Sequence, residues 1–125
     1  VKYYSYFFTR QDMSPEQQVV QTAHAALKLG VNSQRIFDDG KADSSVPYMA
    51  NEGINPDETY FTVIGVRDLA ALNAVERILQ KFKYKYEKFV EPDLNDGEAT
   101  SIAVYPIEEN QRDVLMAFNL LRIKG

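Results

Sequence analysis

The stretch KYYSYFFT at residues 2–9, followed by MSPEQQVVQTAHAALKLG at residues 13–30, decides the fold. The first piece is aromatic-rich and predicts a strand over Lys2–Thr9. The second predicts a helix that opens at Ser14. Ser14 suits the cap, Pro15 the first helical position, and Gln17 the place where a capping box carries Glu or Gln. Gly30 follows the last periodic residue and suits a left-handed C-terminal cap. At about 100° per residue, Val19, Val20, Ala23, Ala26 and Leu27 share one side, which is predicted to face the core.

Working outward, residues 31–58 hold the turn signals Asp39-Gly40, Val46-Pro47, Glu52-Gly53 and Asn55-Pro56. They predict a long loop insertion with a short helical turn near Val46–Asn51, either a surface excursion or the rim of a site. Thr59–Val66 predicts a second strand. Asp68 caps a helix whose apolar face is Leu72, Val75, Ile78, Leu79 and Phe82. Tyr84–Val90 predicts a third strand, Asn95-Asp96-Gly97 a turn, and Thr100–Tyr105 a fourth strand stopped by Pro106. Asn110–Arg122 predicts a last helix with two apolar stripes. Val114, Ala117, Phe118 and Leu121 form one stripe, and Met116, Leu120 and Ile123 the other. The second stripe predicts a homodimer through that helix. The order predicts one α/β domain over residues 1–125, a mixed four-stranded sheet with helices on both faces.

Composition narrows the function. The chain has 125 residues, is 45% apolar and 26% charged, and belongs with globular proteins. Fourteen basic against eighteen acidic residues leave a net charge of −4, against a wholesale electrostatic grip on nucleic acid. No cysteine excludes thiol catalysis and thiolate zinc sites, and fits a cytoplasmic location. No run approaches the ~20 apolar residues of a membrane span, and the N-terminal residues lack a signal-peptide pattern. No phosphate-loop, dinucleotide or Gly-x-Ser-x-Gly motif is present. Nothing in the pattern calls for a cofactor.

Three clusters carry candidate chemistry. Gln17, Gln21, His24 and Lys28 are spaced by four, three and four, a polar stripe on the first helix with the single imidazole. The competing reading is a solvated face. Glu91-Pro92-Asp93 leaves the third strand, where loops at strand ends place site residues. The competing reading is a polar hairpin. Lys81, Lys83, Lys85 and Lys88 alternate with aromatics and suit either a nucleic-acid track or a guarded sheet edge.

Met13 followed by Gln21-Thr22-Ala23-His24-Ala25-Ala26 resembles the type II peptidyl-tRNA hydrolases, which carry Met, then Lys four positions on, then a Gln-x-x-His-Ala core on their first helix. The segment Phe89-Val90-Glu91-Pro92-Asp93 lies where that family has its catalytic Asp. Thr100–Pro106 resembles its closing strand. Asp93 is the preferred counterpart over Asp96, because it preserves the final strand. The chain departs from the pattern at Gln17, the family's Lys position, and lacks its Asp-Ala-Gly-Arg-Thr loop.

The resemblance implies hydrolysis of the ester between a peptide and tRNA. His24, Asp93, Glu91 and Thr100 are then the catalytic candidates. Gln17, Gln21, Lys28, Lys83, Lys85 and Lys88 are the substrate-binding candidates, with no metal. The alternatives are a non-catalytic binding or protein-interaction module that keeps the fold and a metal hydrolase built on His24, Glu91 and Asp93.

Overall fold

The computed structural model describes residues 2–38 and 54–124, with side chains for residues 2–35 and 54–118. Strand β1 (Tyr3–Arg10) is buried along almost its whole length, because it lies inside the sheet. Strand β2 (Tyr60–Val66) pairs parallel to it, and β4 (Glu98–Val104) pairs antiparallel on its other side. Strand β3 (Tyr86–Glu91) pairs antiparallel with β4, giving the order β2-β1-β4-β3. A fifth short strand, β5 (Ile107–Glu108), prolongs the β4 side of β1 beyond Pro106. The mixed sheet in one α/β unit is therefore as predicted, with β5 added.

Helix α1 (Pro15–Asp38) covers β1, β4 and β3 on one face. Helix α2 (Leu69–Lys81) packs against β4 and β1, and α3 (Asp113–Lys124) against β2. The larger core gathers Tyr6, Phe8, Ile64, Leu72, Leu79 and Leu115. The smaller one, under α1, is Phe7, Ala25, Leu29, Ala103 and Tyr105. The Asp68 cap holds as expected, its carboxylate accepting from the Ala71 amide at 3.0 Å.

Three expectations are corrected. Helix α1 does not stop at Gly30 but runs on to Asp38, so residues 31–38 are helical rather than loop. Leu29 and Ser33 extend its buried row past the glycine, and that packing outweighs the roughly 0.5–1 kcal/mol cost of an interior glycine. The rest of the insertion up to residue 53, including Val46–Asn51, lies outside the described residues. The buried face of α1 is also the opposite of the predicted one. Val19 and Leu27 are 70% and 67% exposed, while Gln21, Ala25, Leu29 and Ser33 lie within 5% of full burial. Small side chains let the helix approach the sheet, and sheet hydroxyls satisfy its polar groups. On α3, the deepest of the described side chains is Leu115, outside both predicted stripes, while Phe118 meets Phe8 edge-on at 5.0 Å; Leu120, Leu121 and Ile123 of those stripes lie outside the described side chains.

Candidate active site

β1, β2 and β3 run the same way, so their carboxyl ends gather at one end of the sheet, where α1 begins. Ser14 caps α1 there, its hydroxyl accepting from the Gln17 amide at 3.2 Å. Beside that first turn is a cavity of about 370 Å³, lined by Met13, Gln17, Gln21, Glu91, Asp93, Leu94 and Thr100. The start of α1 thus meets the β3–β4 turn region about 70 residues further on, and five of the candidate residues share the cavity.

A bulge makes this convergence possible. The β3–β4 register pairs Phe89 with Ser101 but Val90 with Ala99, leaving Thr100 as the extra residue. A bulge breaks strand alternation, and here it lets Thr100 and Ser101 both bond on the α1 side of the sheet. Thr100 Oγ1 donates to Gln21 Oε1 at 2.7 Å. That bond fixes the amide, so Gln21 Nε2 turns toward Gln17 Oε1, at a long 3.4 Å, beside the cavity.

Ser101 and Thr9 hydroxyls lie 2.8 Å apart, and Thr9 and Thr22 lie 2.6 Å apart. Thr22 donates its one proton to the Gln18 carbonyl at 2.7 Å. Thr9 therefore donates to Thr22, and Ser101 to Thr9. This hydroxyl chain escaped the sequence reading. Its only trace there is hydroxyl residues inside otherwise apolar strands.

The carboxylates come from the end of β3 and its turn. Asn95, Asp96 and Gly97 all take positive φ, which Asn, Asp and Gly tolerate best. The turn is closed by Gly97 N donating to the Leu94 carbonyl at 2.8 Å. Asp93 lines the cavity, and Asp96 sits exposed at the turn. Met13 and Leu94 add an apolar rim that the sequence did not single out as site residues.

His24 lies one turn beyond Gln21, outside the cavity lining. Its exposed ring stacks on Phe89 at 4.6 Å with an interplanar angle of 9°. Lys28, the next residue of the stripe, donates from Nζ to the Lys88 carbonyl at 2.9 Å. The stripe therefore divides: Gln21 is buried and lines the cavity with Gln17, while Gln17, His24 and Lys28 are exposed, the last two lying along β3.

The remaining lysines do not converge on the cavity. Lys88 pairs with Glu76 of α2 at 3.2 Å, and Lys83 and Lys85 lie before β3, at its far end. Among the described residues no three His, Cys, Asp or Glu side chains gather as a metal ion requires. His24, Glu91 and Asp93 therefore do not assemble as the metal-hydrolase alternative expects.

A charged clamp borders the site. Arg10, 6% exposed, donates to Asp12 Oδ1 at 2.9 Å and Oδ2 at 2.8 Å, and to Glu98 Oε1 at 2.7 Å. The Asp12 bonds above all hold the guanidinium above its ordinary pKa. In turn the hydrogen bond from Arg10 holds Asp12 below the usual carboxylate range, and bonds from Arg10 and then Asn95 do the same for Glu98. Depressed carboxyls contribute stability above their unfolded pKa of about 4 and lose it as pH falls through the folded values. Thermal melts from pH 6 to pH 2.5 are expected to hold level above about pH 5 and drop steeply below about pH 4. Arg10→Met is expected to flatten the acid drop; an unchanged profile in that variant would remove the clamp from the account.

No helix among the described residues is long and apolar enough to cross a membrane. Compared with models of known protein families and with curated proteins, the chain matches none.

Proposed function

We propose that the protein hydrolyses the ester joining a peptide to the ribose of tRNA, the activity implied by its resemblance to type II peptidyl-tRNA hydrolases. The observation that supports this reading is the cavity shared by Gln17, Gln21, Glu91, Asp93 and Thr100. Water adds to the ester carbonyl, the ribose oxygen leaves, and the proton passes from water to that oxygen. In this reading the Asp93 and Glu91 carboxylates hold the attacking water and take its proton. The amides of Gln21 and Gln17 donate to the oxyanion, and Thr100 acts through Gln21 by holding its amide oxygen. His24 offers the open face of its ring beside the cavity, suited to stacking on a base. Lys28 is the cation on the same stripe. Lys83 and Lys85 meet a separate part of the tRNA backbone. A cytoplasmic location and a homodimer through α3, where Met116 is 46% exposed, belong to the same reading.

Gln17, at the family's Lys position, favours the second reading, a module that binds without cleaving. Incubation with N-acetylaminoacyl-tRNA decides between them. The expected result is release of free tRNA, faster in Gln17→Lys. Binding without cleavage in wild type and variant would favour the module. Neither binding nor cleavage would end the hydrolase and tRNA-binding readings and leave a protein-interaction module.

A further inference from the structure

On the other side of α1 a second concavity runs between the helix and β2. Its first part, about 610 Å³, has Val19, Ala23 and Ala26 on the helix wall and Val63 and Gly65 on the strand wall. A second part of about 160 Å³ continues from Ala26 past Leu29, Phe61 and Pro56. The first part has the size of a ligand pocket rather than a packing defect. Among the described residues, neither part is lined by a charged side chain. Gln11 and Gln18 sit in its wall, and each side-chain amide both donates and accepts. Gly65 has a specific role there. A Cβ on it would lie 2.3 Å from the Gln11 side chain, so only glycine lets Gln11 lie flat across β2.

We propose that this groove holds the peptide portion of the ester substrate, a stretch of uncharged, largely apolar residues. The inference rests on the proposed hydrolase reading for the ester itself. Three observations favour a peptide. The groove and the ester cavity flank the same first turns of α1, with Pro15 and Gln18 on one side and Gln17 and Gln21 on the other. Apolar walls take side chains, while the glutamine amides match a peptide backbone. The length also fits: from Pro15 to Leu29 the helix rises roughly 21 Å at about 1.5 Å per residue. An extended peptide at about 3.3 Å per residue fills that length with roughly six residues. Crossing the end of the helix, about 10 Å wide, uses about three more. The groove therefore reads residues some way from the ester, and a single acetylated amino acid does not reach it.

The test compares N-acetylaminoacyl-tRNA with a tRNA carrying ten residues, leucine and serine alternating. Wild type is expected to show a KM about tenfold lower for the long substrate. Ala23→Glu, at an exposed helix position, is expected to abolish that advantage and leave cleavage of the short substrate unchanged. Equal KM values for both substrates in wild type would overturn the groove while leaving the hydrolase reading intact.

A second measurement needs no activity. An uncharged acetylated hexapeptide amide of leucine and serine is titrated into the ¹⁵N-labelled protein. Saturable shifts at Thr22, Ala23 and Gly65, lost in Ala23→Glu, support the groove even if no tRNA is cleaved. That outcome, without cleavage, removes the hydrolase reading alone. No saturable shift in wild type overturns the groove.

Discussion

Asp93→Asn is expected to lower peptidyl-tRNA cleavage by about 10²–10⁴-fold, the usual worth of a positioned general base. Asparagine keeps the shape of the side chain but cannot accept the proton of the attacking water. Asp93 is exposed and lies at the mouth of a turn held by other residues. The unfolding free energy should therefore change by no more than the roughly 0.5 kcal/mol typical of surface changes, leaving the thermal midpoint nearly where it was. His24→Ala is expected to lose cleavage as well, again without loss of stability, because its ring is exposed on Phe89. Since His24 stands outside the cavity lining, its loss should fall more on KM, and that of Asp93 on kcat. Cleavage that persists unchanged in Asp93→Asn would remove the carboxylate from the mechanism.

The second large effect concerns the buried side of α1. Ala25 is fully buried against Phe7, Ala103 and Tyr105, whereas Leu27 is 67% exposed. Ala25→Glu places an unpaired carboxylate between helix and sheet. That is expected to cost about 3–5 kcal/mol, much of the ~5–15 kcal/mol that holds a domain together. Leu27→Glu is expected to change stability by no more than about 0.5 kcal/mol. Urea unfolding of the two variants decides which face is buried. The reverse order would restore the apolar arc to the core and take Gln21 away from Thr100.

The strands and α2 were legible because their information is local. Aromatic and β-branched runs mark β1, β2 and β4, and Asp68 followed by Leu72, Val75 and Leu79 marks a capped helix whatever lies around it. The site was partly legible for the same reason: Gln17, Gln21, Glu91, Asp93 and Thr100 stood out by residue type and spacing. The bulge at Thr100 was not legible, because it is a property of two strands in register. The same holds for the Arg10 clamp, whose carboxylates lie two and 88 residues away.

By itself, the sequence determined the order of strands and helices, one mixed sheet, and which residue types stand at the helix and turn that line the candidate cavity. Tertiary structure alone decided which face of α1 meets the sheet. Hydrophobic periodicity favours Val19 and Leu27, but the sheet offers hydroxyls at Thr9 and Thr100 that bond Thr22 and Gln21 of the helix at close range. A buried polar group with a partner carries no desolvation penalty of the size that excludes an unpaired one. The helix therefore turns its glutamine and small side chains inward, bringing Gln21 to Thr100 and leaving the apolar arc beside the groove on β2.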